Sequence, residues 1–265
     1  MTTTQPPIRF LDGEAYERGM GVWSQMVGHI FLDWLAPKAG SRWVDIGCGN
    51  GAFTELLIAR CAPAEVQAID PSDGQLAFAR TRKGVQAATF HQGDAMALPF
   101  VDDQFDAAVM ALVLFFVPDP VKGVAEMVRV VRPGGLVCAY VWDIPGGGFP
   151  IEPIRAELAR MGAPSAGPPR ADISEIGALH TLWTDAGLEA VESRPISVQR
   201  VFVDFEDFWT TNLMVGGLGT RIAGMPPADI ERLKQGVKER LPTDAEGAII
   251  YHAWANAVRG VVPGG

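Results

Sequence analysis

With 265 residues, a net charge of −9 and 48% hydrophobic against 20% charged content, the chain has the makings of one elaborated globular domain and not of a disordered polymer. The acidic balance, with no basic cluster, argues against a nucleic-acid partner. The longest apolar run, Ala107 to Val117, is too short to span a bilayer, and Met1 to Pro7 lacks the basic-then-apolar pattern of a signal peptide. Cys48, Cys61 and Cys138 form neither a metal-ligand spacing nor a disulfide framework, which fits a reducing cytoplasm.

Residues 1–13 read as a loose lead. From Glu14 to Leu35 apolar residues recur at helical spacing: Met20, Trp23, Met26, Val27, Ile30, Phe31, Trp34 and Leu35. Gly19-Met20-Gly21 breaks that helix or divides it in two. Tyr16, Met20 and Trp23 flank the break and either line a ligand pocket or pack the helix on a sheet; both readings stand on sequence alone. Arg42 to Ile46 then reads as a buried strand, Gly47 to Gly51 as a glycine-rich turn, and Ala52 to Arg60 as a helix. That order makes a nucleotide-type binding turn. Glycine lets a ligand approach the main chain, and a helix N-terminus offers it unpaired N–H groups.

Glu65 to Asp70 is a second strand that ends in an acid. A carboxylate roughly 20 residues past the first glycine is where such a site accepts ribose hydroxyls. Ser72, with Gln75 three later, caps the next helix to about Arg82, which leaves Asp70 for a ligand. Ala87 to His91 is a third strand, followed by Gly93-Asp94-Ala95. Phe105 to Met110 is a fourth, apolar as a central parallel strand should be. Asp119-Pro120 opens a helix, Arg132 to Gly135 closes it, and Leu136 to Trp142 is a fifth strand. Strand and helix alternate throughout, which predicts a doubly wound, mostly parallel α/β sheet with helices on both faces.

Asp143 to Arg170 is rich in glycine and proline, with one short helix at Pro153 to Met161. A long loop after a strand's carboxyl end lies over the ligand site of such sheets and is a candidate lid. Asp172 to Ala186 reads as one helix capped by Asp172. Leu188 to Val203 is the sixth strand, Phe205 to Val215 and Pro226 to Leu241 are helices, and Ala248 to Val261 is the last strand. The insert over about 205–245 is placed to cover an acceptor, with Trp209, Met214 and the glycines at 216, 217 and 219 as candidate lining; ordinary core positions are the equal alternative for Trp209 and Met214.

Asp45-x-Gly47-x-Gly49-x-Gly51, Asp70, Gly93-Asp94-Ala95, Leu98-Pro99-Phe100, Phe105-Asp106 and Arg132-Pro133-Gly134-Gly135-Leu136 stand in an order that resembles the class I S-adenosylmethionine-dependent methyltransferases. More narrowly, the stretch over roughly 14–145 resembles their small-molecule branch, which includes the ubiquinone and menaquinone biosynthesis C-methyltransferases. The resemblance implies a Rossmann-like methyltransferase fold of seven strands, the last antiparallel beside the fifth, with a helical cap over the acceptor site. It implies S-adenosyl-L-methionine as cofactor. Gly47, Cys48 and Gly49 would pass around its methionine part, and Asp45 would bind the amino group directly or through water. Asp70 would take the ribose hydroxyls, with Pro71 or Ser72 against the adenine. Asp94 would accept from the adenine amino group and Ala95 would face a ring nitrogen. Ala111 and Leu112 would sit between the methionine moiety and the acceptor. On the acceptor side the candidates are Tyr16, Met20, Trp23, Phe115, Trp209 and Met214.

Many relatives carry a histidine just after the fourth strand, where this chain has Leu114-Phe115-Phe116. Among His29, His91, His180, His252 and Asp143, only Asp143, at the end of the fifth strand, is placed to act as a base, and the sequence identifies no catalytic base. The division expected is one domain over 1–265: a helical cap segment (14–36), a cofactor-binding core (41–145), and a remainder (146–265) holding lid loop, last strands and insert. The expected activity is methyl transfer to a carbon or oxygen of a small, largely apolar molecule, with no metal. An NAD(P)-dependent oxidoreductase would want G-x-G-x-x-G, but Gly51 follows Gly49 by two positions. A non-catalytic cofactor-binding module is the third reading.

Overall fold

Seven strands pair in the order β3-β2-β1-β4-β5-β7-β6 in the computed structural model, which describes residues 17–163, 167–215 and 217–264. β1 (Arg42–Ile46), β2 (Glu65–Asp70), β3 (Ala88–Gln92), β4 (Phe105–Ala111) and β5 (Val131–Trp142) run parallel. β7 (Ile249–Val261) lies antiparallel between β5 and β6 (Glu189–Phe202). This is the doubly wound sheet expected, and its strand order reverses between β1 and β4, the switch point where such sheets bind ligands.

A five-residue π-helical turn, Glu17–Gly21, leads into α1 (Val22–Leu35), so the expected break falls at the glycines. α1 and α2 (Ala52–Cys61) cover one face and meet over Tyr140, whose ring lies 4.7 Å from Phe31 and 5.8 Å from Phe53. Arg259 on β7 reaches the same face, its guanidinium 4.9 Å from the Trp34 ring. The next residue, Gly260, points the other way, where a Cβ would stand 3.1 Å from Trp183. Trp183 belongs to α6 (Ile176–Asp185), is fully buried, and donates its indole N–H to the Val137 carbonyl at 3.0 Å. α3 (Asp73–Ala79) and α4 (Pro120–Val130) complete the crossovers, each with the cap the sequence indicates: Ser72 accepts from Gln75 N–H and Asp119 from Lys122 N–H.

Three expectations are corrected. The helix over Asp172–Ala186 is divided into a 3₁₀ turn at Ala171–Ser174, an extended Glu175, and α6. Tertiary bonds cause the break. Buried Ser174 donates its hydroxyl to Ala171 O, receives Ile144 N–H at 3.2 Å, and its carbonyl takes the Asn256 amide at 2.9 Å. The helix capped by Ser72 ends at Ala79, short of Arg82. Between α7 (Phe205–Leu213) and α9 (Pro227–Lys238) the chain forms an unpredicted short helix, α8 (Leu218–Ala223), which Gly217 enters with a left-handed φ of 78°.

β7 pairs with β5 only as far as Trp142↔Ala255. Beyond that, Ile249–Trp254 pairs with Ser197–Phe202, so the antiparallel β6–β7 pair runs on past the carboxyl edge of the parallel strands by about 20 Å. The loop after β5 docks on this extension: Trp254 N–H donates to Gly148 O at 3.0 Å and Asp143 N–H to Trp254 O at 3.2 Å. α5 (Glu152–Arg160) follows that loop. A Cβ on Gly148 would lie 2.3 Å from the Trp254 carbonyl oxygen. Gly148→Ala should therefore force the loop off this extension at a cost of about 1–3 kcal/mol. Urea melts together with faster proteolysis within 143–151 check this.

Candidate functional site

β1 delivers the chain into the glycine turn, and β2 delivers Asp70 beside it. Gly47 N–H and Cys48 N–H both donate to Ile69 O, at 2.7 and 3.1 Å. Asp70 then closes the arrangement: one carboxylate oxygen accepts Gly49 N–H at 2.9 Å and the other accepts Ser72 N–H at 2.8 Å. Asp70 is thus not idle, as the capping argument suggests, but ties the turn to the exit of β2. Each oxygen keeps a further lone pair for a ligand hydroxyl. Burial raises its carboxyl pKa, against the pull of the two N–H groups.

Gly47 and Gly49, two of the turn's three glycines, have different reasons to be glycine. Gly47 has φ 72°, and a Cβ there would lie 2.4 Å from Val113 Cγ1. Gly49 has φ 53°, and its Cβ would enter open space. The surface a ligand can approach is therefore at Gly49. Cys48 turns its side chain into a small cluster with Ala68 and Leu76, and burial holds its thiol well above the ordinary range. Only its backbone faces the turn.

Asp45 departs from a direct ligand contact. Strand alternation points it beneath α2, where it is fully buried and one oxygen accepts the Thr54 hydroxyl at 2.6 Å. The other oxygen is buried with no partner among the described residues. Burial, opposed by the Thr54 bond and reinforced by Asp70, pushes this carboxyl up to about 7.

The exits of β2 and β3 are tied by Gly93 N–H to Asp70 O at 3.2 Å and by the Gln92 amide to Pro71 O at 3.2 Å. Pro71 and Asp94 are exposed, Ser72 and Ala95 half-buried. Asp94 accepts Met96 N–H at 2.8 Å. From β4, Ala111 is half-buried and Leu112 adopts a left-handed φ of 61°, held by its N–H to Tyr140 O at 2.8 Å. That conformation costs a non-glycine residue about 1–3 kcal/mol and persists only where its surroundings enforce it. Gly49, Asp70, Ser72, Asp94 and Leu112 thus share the carboxyl edge of the sheet around the switch point.

The acceptor-side candidates come together less well. Tyr16 and Gly216 lie outside the described residues. Met20 and Trp23 are buried at 4% and 0% exposure and pack in the core. Phe115 is buried edge-on against Phe116. Trp209 is a packing residue between α7 and α9, stacked on Phe205 with the Lys234 ammonium 5.6 Å above its ring. Met214 is half-buried, and a Cβ on Gly19 would meet it at 3.4 Å, which places it at the π turn beside Met20. Asp143 spends both oxygens on structure, accepting Gly146 N–H at 2.9 Å and the Trp254 indole N–H at 3.1 Å. Sequence reasoning missed Thr54 and Val113. Thr54 stands one turn into the helix after the glycines, a readable signal; nothing in the sequence places Val113 over Gly47. Among the described residues no group of His, Cys, Asp and Glu is arranged to hold a metal, and no helix is long and apolar enough to cross a membrane.

A glycine turn, a strand-end carboxylate and a switch point define the class as a doubly wound nucleotide-type binding domain. Residues 44–139 match the family model described as a methyltransferase domain. The chain is 40% identical over 97 residues to the 2-methyl-6-phytyl-1,4-hydroquinone methyltransferase 2 of Oryza sativa, covering 37% of this chain and 28% of that one. It is 39% identical over 112 residues to the demethylmenaquinone methyltransferase of Clavibacter sepedonicus, covering 42% and 45%. It thus spans between about a quarter and a half of the length of these curated relatives. The solved structure of a Haemonchus contortus phosphoethanolamine N-methyltransferase with S-adenosylhomocysteine shares the fold, with a TM-score of 0.59 at 21% identity over 95% of this chain and 57% of that one. Residues 44–139 thus match a methyltransferase domain, and the chain resembles the quinone C-methyltransferases over that part of its length.

Two outcomes follow from this geometry. Gly47→Ala should lose about 1–3 kcal/mol against the Val113 wall. Gly49→Ala should cost about 1 kcal/mol or less and fold normally, yet lose S-adenosylhomocysteine binding, because its methyl enters the open cradle. Thermal melts paired with calorimetric titration separate the two. For Asp45, the folded pKa lies above the unfolded value of 3.8, so its stabilising protonation is complete below about pH 4 and is lost as pH rises through about 7. Asp45→Asn keeps an acceptor for Thr54 and removes the charge. Its melting temperature should gain on the wild type progressively from about pH 4 to pH 7 and level off above that, and a constant difference would refute the assignment.

Proposed function

We propose that this protein transfers a methyl group from S-adenosylmethionine to a carbon or oxygen of a small, largely apolar acceptor, and that its 265 residues act as one domain. The observation that carries the reading is the Asp70 clamp beside the open face of Gly49, within the stretch that matches the methyltransferase domain. The residues fit the cofactor's chemistry. Asp70 supplies acceptor lone pairs for vicinal hydroxyls, Gly49 leaves room for a chain to pass close to the backbone, and Asp94 is an exposed acceptor at the exit of β3. When bound, the cofactor supplies a methyl group already activated by its sulfonium.

The chain's own residues then have two tasks: to hold the acceptor in line and to keep water out. Leu112, Phe115 and Trp142, all buried at the carboxyl ends of β4 and β5, serve the second. Two of these relatives are named for a 2-methyl-6-phytyl-1,4-hydroquinone and for demethylmenaquinone, which supports a ring-type acceptor here. With no histidine in the Leu114-Phe115-Phe116 stretch just after β4 and Asp143 engaged in the docked loop, we read the transfer as driven by alignment more than by a strong base.

Calorimetric titration with S-adenosylmethionine, S-adenosylhomocysteine and NADH tests the reading. Micromolar binding of the two sulfur compounds and none of NADH is expected; binding of NADH alone would overturn it. Asp70→Asn offers one acceptor oxygen where two N–H groups need one each. Its S-adenosylhomocysteine affinity should fall at least tenfold and its melting temperature by about 2–4 °C. Unchanged affinity in that variant would remove Asp70 from the site.

A further inference from the structure

The third glycine of the turn, Gly51, has a reason of its own. Its φ is 77°, and a Cβ there would stand 3.0 Å from Ala79 Cβ and 3.5 Å from Arg82 Cδ. Without that Cβ, the end of α3 lies directly against the turn. α3 stops at Ala79, and Arg82 N–H closes a turn on Ala79 O at 3.1 Å, which brings the Arg82 side chain round to the glycines. That side chain is only 11% exposed. Its Nε–H donates to Asn50 O at 2.6 Å and its Nη1 to Glu55 Oε2 at 2.9 Å, while Glu55 Oε1 accepts Gly84 N–H at 3.0 Å. The guanidinium is thus pinned between the glycine turn and the first turn of α2.

The bond to Asn50 O is the first of a series. The Asn50 carbonyl and the Gly51 N–H are two ends of one planar peptide unit, and Gly51 N–H donates to Cys48 O at 2.9 Å. The Cys48 carbonyl and the Gly49 N–H form the next unit, and Gly49 N–H donates to the Asp70 carboxylate at 2.9 Å. Two rigid peptides therefore connect a cation to an anion, each with its oxygen toward Arg82 and its N–H toward Asp70. In such a chain every bond polarises the next, so strength lost at one end is felt at the other. The far end is the ligand side. Gly49 has the open outer face, and Asp70 keeps lone pairs for ligand hydroxyls. Burial raises the Asp70 pKa, and the Ser72 and Gly49 N–H groups oppose that rise.

Resting on the methyltransferase reading, we infer that Arg82 is a positioning residue for the cofactor, which through the Asn50–Gly51 and Cys48–Gly49 peptides orients the Gly49 surface and the Asp70 carboxylate. It acts from the side of the turn that α3 covers. An ion pair with Glu55 alone would make Arg82 matter for stability and leave the affinity of the folded protein untouched. The relay makes it matter for both.

Two variants of the full chain test this. Arg82→Met keeps the aliphatic stem and removes the donor, and Arg82→Lys restores a charged donor on a stem of similar length. Calorimetric titration with S-adenosylhomocysteine is run at a temperature where circular dichroism shows the proteins folded. Arg82→Met should bind about fivefold or more weakly than the wild type, the worth of one ordinary hydrogen bond, and Arg82→Lys should recover most of that loss. Amide spectra of the ligand-free proteins report the relay itself. In Arg82→Met the Gly49 and Gly51 amide protons should both move upfield as their hydrogen bonds weaken, while Lys122 N–H, which Asp119 caps outside the relay, should stay. Unchanged affinity in folded Arg82→Met, or Gly49 and Gly51 amides that do not move together, would overturn the assignment. If Arg82→Met does not fold, the spectra of Arg82→Lys decide, because any change in the bond to Asn50 O must move both amides in one direction. Failure of S-adenosylhomocysteine to bind the wild type would strike the methyltransferase reading instead, and the ligand-free spectra would still decide the relay.

Discussion

Two backbone N–H groups from separate segments end on one carboxylate, and the cofactor side of this protein depends on that contact. Gly49 belongs to the turn after β1 and Ser72 to the turn after β2, and Asp70 joins them. Hydrogen bonds to a charged acceptor contribute about 1.5–3 kcal/mol each, more than a neutral pair. The clamp does more than stabilise. It fixes where the Gly49 surface stands relative to the remaining lone pairs of Asp70, so the turn's shape and its ligand-facing chemistry are set by one side chain. The sheet makes this possible. The register Ile46↔Ile69 brings the end of β1 level with the end of β2, and a slip of one residue would turn Asp70 to the other face.

Leu112 and Gly47 are two halves of a second constraint. Leu112 holds a left-handed backbone that leucine does not favour, locked by Tyr140 O. The chain leaving it places Val113 on the glycine turn, where Gly47 has no Cβ to obstruct it. Strain on β4 is thereby exchanged for a ceiling over the turn. Asp45 lies below as a third element, a sealed carboxyl whose one hydrogen bond among the described residues comes from Thr54. Together these hold the loop between β1 and α2 from above, from the side and from below, which suits a site meant to be rigid before a ligand arrives.

Features that depend on local chemistry were legible in the sequence. The strands, the caps at Ser72 and Asp119, the break at Gly19-Met20-Gly21 and the position of Asp70 all follow from periodicity or from one residue's conformational preference. Features that depend on which surface meets which were not. Nothing local says that Asp45 faces α2 rather than a ligand, or that Ser174 exchanges helix bonds for tertiary ones with Ile144 and Asn256. Trp209 and Trp23 carry the same ambiguity: an aromatic residue on an apolar stripe reads alike whether it lines a pocket or fills a core. Here Phe205 and Lys234 cover one, and Phe202 and Tyr251 the other.

The same distinction explains why the donor is easier to read than the acceptor. The family match runs from Val44 to Ala139 and stops inside β5, so it takes in the glycine turn, Asp70, Asp94 and Leu112. The β6–β7 extension, the docked loop, α5 and α7 all fall outside it. These parts are far apart in sequence and are assembled by pairings such as Gly148 with Trp254 and Arg200 with Tyr251. A cofactor shared by many enzymes can be held by a contiguous motif, because its shape never changes. An acceptor peculiar to one enzyme is met by side chains that only the finished fold brings together, and no contiguous stretch of sequence announces them.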